Sequence, residues 1–141
     1  MGLLDRLVFS HGGGEGDARA KPSRADLRSP IEEELLAPLR ANEGDDASLP
    51  LRFHMRFVGT VQGVGFRWTN RDVAKRAGTT GWVRNESDGS VIMELQGTGE
   101  AIAKHLDLVH ELYHPFNNRI WMDEAAPLPE MEGERGFEVR F

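Results

Sequence analysis

Glycines at 59, 63 and 65 stand between a stretch of strict alternation and a stretch of helical period. Before them, Leu51, Phe53, Met55 and Phe57 alternate with Arg52, His54, Arg56 and Val58, the period of a strand with one buried face. After them a helix is expected from about Phe66 to Ala77, with Phe66, Val73 and Ala77 toward the core and Gly78 just past its end. A strand that turns through glycines directly into a helix start fixes a β–α unit. It also leaves a turn whose backbone reaches left-handed angles and can be approached closely by a ligand.

The remaining elements follow from the same periods. Residues 80–86 and 89–96 read as two strands joined by Glu86-Ser87-Asp88-Gly89, and Asp-Gly between alternating apolar runs is a hairpin signal. A second helix is expected over 99–112, with Ile102, Leu106, Val109 and Tyr113 on one face. Arg119–Ala125 and Gly136–Phe141 read as short strands, with residues 126–135 as the loop between them. The order β-α-β-β-α-β, with one extra terminal strand, belongs to a ferredoxin-like α+β sandwich, two helices on one face of an antiparallel sheet.

The chain divides near residue 50. Residues 1–50 carry six basic and ten acidic side chains and include Gly12-Gly13-Gly14; they read as a flexible acidic N-terminal extension, and 51–141 as the folded domain. Within the extension a short helix is expected near 30–39. Ser29 can cap it, Pro30 suits its first position, Glu32 can close a capping box, and Pro38 should end or kink it early. Ile31, Leu35 and Leu39 fall on one face. That pattern fits a helix lying on its own domain, on the sheet face that the two main helices leave open. It also fits a partner-docking helix, or no stable helix at all, since isolated helices this short rarely persist in water.

Composition excludes several classes. With no cysteine there are no disulfides and no thiolate chemistry, and a reducing compartment fits. No apolar run approaches the roughly 20 residues of a membrane span, and the first nine residues make no convincing signal peptide, so a cytoplasmic protein without membrane contact is expected. The net charge of −6, with basic residues scattered among acids, argues against nucleic acid as a partner. His105, His110 and His114 recur at i, i+5 and i+9, which is not ligand spacing on a helix, so no metal is expected. His11-Gly12-Gly13-Gly14 reads as linker, and the acids at 130, 132 and 134 as a solvated loop.

The chemistry concentrates in Gln62-Gly63-Val64-Gly65-Phe66-Arg67. Successive amides in such a loop form an anion-binding concavity, and the helix starting there adds a positive dipole end. A cation in the first helical turn, as Arg67 is, weakens the helix unless an anion lies between them; a guanidinium grips two phosphate oxygens at once. Asn85 closes the strand before the hairpin, and its amide can hold a water through both donor and acceptor. The plainer readings are a solvated helix arginine and a turn-forming asparagine. Arg84 reads as a solvent-face residue, and Trp68 and Trp82 as packing residues.

The stretch Gly59–Arg67, its spacing to Gly81-Trp82-Val83-Arg84-Asn85 and the Asp88-Gly89 turn resemble the acylphosphatase family over Leu51–Phe141, most strongly in 57–97. The resemblance implies a ferredoxin-like sandwich that hydrolyses acyl phosphates to a carboxylate and inorganic phosphate without cofactor or metal. It implies that Arg67 and the loop amides hold the phosphoryl group while Asn85 positions water. Three features depart from the family pattern: Asn70 where threonine is common, His114-Pro115-Phe116-Asn117-Asn118 after the second helix, and the extension. A small monomeric enzyme is expected. The alternatives are a phosphate-binding or partner-docking module with little turnover, and a subunit acting on carbamoyl phosphate.

Overall fold

The computed structural model describes residues 22–41 and 45–141; the glycine cluster at 12–16 lies outside the described residues. The elements are α1 (Pro30–Arg40), β1 (Leu51–Gly59), α2 (Phe66–Ala77), β2 (Thr80–Asn85), β3 (Val91–Gly97), α3 (Gly99–Tyr113), β4 (Ile120–Leu128) and β5 (Phe137–Arg140). They form one five-stranded sheet in the order β4-β1-β3-β2-β5. The first four strands pair antiparallel, whereas β5 runs parallel to β2, so the extra terminal strand makes the sheet mixed.

The apolar side chains of one sheet face and of the helices merge into a single core that includes Met55, Phe57, Val83, Met93, Ile102 and Leu106. On α3 the expected face is the buried one, whereas on α2 Ala74 takes the place expected for Ala77. Strand β4 is longer than expected. It pairs from Gly59↔Ile120 to Arg52↔Leu128 with a register shift at Arg56/Phe57, so Ala126–Leu128 continue the strand. The shift lets the strand follow the twist of β1.

The other sheet face carries charge in place of apolar cover. Arg52 is only 3% exposed and is held by Glu94 at 2.9 Å and Glu134 at 2.8 Å. Glu134 is therefore paired, not solvated. Arg56 bridges Asp88 at 2.8 Å and Asp123. The apolar groups in register with these charges, among them Trp82 and Trp121, are covered by arginines: Arg84 and Arg140 lie over Trp82 and Arg119 over Trp121.

Helix α1 accordingly lies elsewhere, beside α3 and over β4, on the same side as the two main helices. Its buried face is Glu32, Leu36 and Leu39, while Ile31 is 37% exposed. The rotation has an electrostatic cause. The Glu32 carboxylate lies 2.9 Å from His110 Nε2 and 3.0 Å from Arg28, and Arg40 grips Asp107 of α3 with two bonds of 2.8 Å. An ion-paired carboxylate is tolerated inside where an unpaired one is not. Ser29 caps the helix by accepting from Glu32 N at 3.0 Å, but Glu32 spends its carboxylate on α3, not on a capping box. Pro38 does not end the helix; Pro38 and Glu34, whose carbonyl it leaves without a helical donor, both face solvent.

Two of the departing segments prove to be partners. The carbonyl of Asn117, a residue at φ +55°, accepts from Arg24 Nε at 3.1 Å, its Oδ1 accepts from Arg24 N at 2.6 Å, and His114 Nδ1 pairs with Asp26 at 2.8 Å. The helical turns Arg24–Asp26 and His114–Phe116 are thereby stitched together.

Candidate active site

Between β1 and α2 the chain passes through Gly63 at φ +76° and Gly65 at φ +73°, with nothing within 4 Å of where a Cβ would stand on either. Glycine is needed there for the angles, not for space. Gly65 is the N-cap residue of α2 and offers no side-chain cap. Among the described residues, no acceptor in the protein takes a hydrogen bond from the backbone amides of Gln62 through Trp68. A run of free amides at the positive end of a helix is an anion cradle.

The loop is held from behind. Gln62 Nε2 donates to Glu86 O at 2.8 Å and Ser90 O at 2.9 Å, tying the loop to the β2–β3 hairpin. Tyr113 OH donates to Val64 O at 3.0 Å. Phe66 is buried edge-on against Phe57, with ring centroids 5.4 Å apart. The side chain of Gln62 thus belongs to the scaffold, and only its amide remains for a ligand. Neither role of Gln62 nor that of Tyr113 was legible locally, because their partners lie 24 to 49 residues away.

A cavity of about 240 Å³ opens over this loop, lined by Val61, Gly63, Gly65, Phe66, Arg67, Trp68 and Asn85. Arg67 stands in the first turn of α2. Its Nη1 donates to Arg140 O at 3.2 Å and its guanidinium carbon lies 4.8 Å from the Phe141 ring centroid, so β5 steers the side chain while the other donors stay available. Asn85 is the last residue of β2, and its Oδ1 is buried without a donor among the described residues. A buried unpartnered acceptor on a cavity wall is a place for a water. Arg67 and Asn85, 18 residues apart in sequence, therefore face one cavity.

The surroundings are cationic on the helix side. Arg67, Arg71, Lys75 and Arg76 stand on α2 against one acid, Asp72, and none of the four forms an ion pair among the described residues. Of these, Arg67 lines the cavity, whereas Arg71 and Lys75 line a second hollow beside Gly78–Thr80. Trp68, expected to pack, is 46% exposed and lines the cavity, whereas Trp82 is buried. Arg84 lies 5.2 Å from the Trp82 ring centroid and pairs with Glu86 at 3.0 Å. In the hairpin, the Ser90 hydroxyl and amide and Arg56 hold the Asp88 carboxyl well below the usual carboxylate range, which keeps the turn beside Asn85 ionised and closed.

No group of three or more His, Cys, Asp or Glu among the described residues is placed to hold a metal ion. His105, His110 and His114 each face separate partners. No helix among the described residues is long and apolar enough to cross a membrane.

Comparison with known proteins gives the chain its relatives. The chain is 52% identical over 95 residues to an acylphosphatase of Salinibacter ruber (strain DSM 13855 / M31), covering 63% of this chain and 92% of that protein. A crystal structure of acylphosphatase from Bacillus subtilis superposes with a TM-score of 0.52 at 25% identity, over 64% of this chain and 99% of the other. The HypF protein of T. kodakarensis also matches, with TM-score 0.52 and 25% identity, but over 64% of this chain and only 12% of its own length. The family model for acylphosphatase matches residues 53–139, and the chain belongs to the acylphosphatase family.

Proposed function

We propose that this protein hydrolyses acyl phosphates, and that the loop Gln62–Arg67 holds the phosphoryl group while Asn85 orients the attacking water. One observation carries the reading: a run of uncommitted amides beside Arg67 faces, across one cavity, the unpartnered Oδ1 of Asn85. The amides, the positive end of α2 and the Arg67 guanidinium stabilise charge on the non-bridging phosphoryl oxygens. The water oxygen forms a bond to phosphorus as the bond from phosphorus to the acyl oxygen breaks. The electron pair leaves on the carboxylate, and the water's protons end on phosphate or in solvent. Because a carboxylate is a good leaving group, orientation suffices and no strong base is required. The family likeness and the relatives' names support the substrate class.

Benzoyl phosphate hydrolysis tests the reading. Wild type should turn it over, and should keep doing so after exhaustive treatment with a chelator. Arg67→Lys should recover little of the activity lost in Arg67→Ala, because an ammonium cannot bridge two oxygens. Phosphate binding without turnover would instead favour a phosphate-binding module. Near-wild-type turnover by Arg67→Lys would falsify the assignment of Arg67.

A further inference from the structure

A peptide unit is planar, so the carbonyl of one residue and the N–H of the next point in opposite directions within one plane. Fixing a carbonyl from behind therefore aims the following amide. Two carbonyls of the phosphate loop are fixed in this way, one directly by Tyr113 of α3 and one by Asn70 of α2, which His105 of α3 holds in turn. Tyr113 OH donates to Val64 O at 3.0 Å, which aims the amide of Gly65. Asn70 Nδ2 donates to Phe66 O at 2.8 Å, which aims the amide of Arg67. Gly65 and Arg67 both line the cavity.

Asn70 is itself held. Its Oδ1 lies 2.9 Å from His105 Nε2, and His105 Nδ1 lies 2.8 Å from Thr79 Oγ1. Asn70 and His105 are fully buried and Thr79 is 4% exposed. The chain has one self-consistent polarity. Phe66 O can only accept, so Asn70 presents its NH₂ there and its oxygen to His105. His105 must then carry its proton on Nε2, leaving Nδ1 to accept from the Thr79 hydroxyl. Burial pushes the His105 pKa down to about 3, so the ring stays neutral and keeps that tautomer at working pH. The anchors supply what α2 lacks at its start, since Gly65 gives no side-chain cap.

We propose that Tyr113, and His105 acting through Asn70, are positioning residues that aim the Gly65 and Arg67 amides at the bound phosphoryl group. The inference deepens the reading of the same cavity as a phosphoryl site and rests on it. Asn70, the residue that departs from the family pattern, is on this account a link joining α3 to the start of α2.

The test uses the full chain and inorganic phosphate as probe, with three readouts: phosphate Kd, kcat and KM on benzoyl phosphate, and the ¹⁵N shifts of His105. Tyr113→Phe keeps the ring and should weaken phosphate binding about three- to tenfold, with kcat falling alongside. His105→Leu should cost about ten- to hundredfold in kcat/KM, and His105→Gln, which restores a donor toward Asn70, should recover most of it. Wild-type His105 should show the Nε2-protonated neutral form. Phosphate affinity and kcat at wild-type values in folded Tyr113→Phe, with only the melting temperature lowered, would overturn the proposal. So would an Nδ1-protonated His105 in wild type, a measurement that stands even if His105→Leu fails to fold. If wild type binds phosphate with the expected dependence on Tyr113 but does not hydrolyse benzoyl phosphate, the catalytic reading falls and the positioning inference survives.

Discussion

Helix starts α1 and α3 differ from that of α2 in every respect that matters for an anion. Ser29 and Thr98 cap the first two with side-chain oxygens, at 3.0 Å to Glu32 N and 3.1 Å to Ala101 N, and acids follow in the first turn. Helix α2 has a glycine cap, no side-chain cap bond, no acid in its first turn and Arg67 there instead. Ordinary caps consume the free amides at a helix start and complement its dipole. At α2 both are left for something outside the chain, and the ordering that a cap would supply comes from Tyr113 and Asn70 behind the loop. A helix start can be stable or receptive to a ligand; among the described residues, one of three is receptive, and its support comes from Asn70 further along the same helix and from Tyr113 and His105 of α3.

The largest expected effect comes from making α2 resemble the other two. Arg67→Glu places an acid in its first turn, which favours the helix by a few tenths of a kcal/mol to about 1 kcal/mol, while repelling the phosphoryl group. Turnover should fall by more than about a thousandfold with the melting temperature held or raised. A large loss of stability would show that Arg67 serves the fold through Arg140 and Phe141, and the contrast between the helix starts would lose its meaning.

Asn85→Ala should lower kcat about a hundredfold and phosphate affinity only a few-fold, since it orients water and leaves the cradle intact. Equal losses in both would make Asn85 a ligand of the phosphoryl group.

The third test removes one conventional helix start. A chain beginning near Leu49 lacks α1, uncovers the surface buried by Leu36 and Leu39, and leaves His110 without Glu32. Stability should drop by about 2 kcal/mol, the two side chains' burial being partly offset by the ordering they no longer require. Turnover per folded molecule should stay within a few-fold, because the loop's anchors remain. An inactive but folded product would show that α1 supports the loop through α3.

The smallest effect concerns the rear anchor. The His105 pKa is lowered from 6.5 to about 3 by burial, so between those values the unfolded chain binds more protons than the folded one. That contribution to stability is fully present above about pH 6.5 and is lost as pH falls. It carries a slope of at most about 1.4 kcal/mol per pH unit. Denaturant titrations from pH 6.5 to 5.5, over which wild type should lose about 1 kcal/mol, should give a flatter profile for His105→Gln. Parallel profiles would mean that His105 is not neutral in the folded state.

What could be read in the sequence was local. The glycines at 63 and 65, the alternation of β1, the Asp88-Gly89 turn and the stripe Ile102–Tyr113 each encode a backbone demand or a period within a few residues, and each appears where expected. The candidate pair was legible for the same reason: Arg67 contradicts its helix start, and Asn85 ends its strand. The face of α1 was not legible. Periodicity favoured Ile31, Leu35 and Leu39, but His110 and Arg28 draw Glu32 inward and turn the helix on its axis. Trp68 departs from the packing expected of an aromatic residue: it is half exposed on the cavity wall, with Phe141 beside it.

By itself, then, the chain's order of residues determined the elements, the glycine turn and the misplaced cation, because dihedral preference and side-chain period act over short range. Tertiary structure alone decided that Asn85 faces Arg67, that Gln62 and Tyr113 serve the loop from behind, that Arg24 and Asp26 meet Asn117 and His114, and that Glu32 is buried. Each of those is a pairing between polar groups far apart in sequence. A buried donor or acceptor takes whichever partner the fold brings within 3 Å or so, and no window of sequence specifies which one that will be.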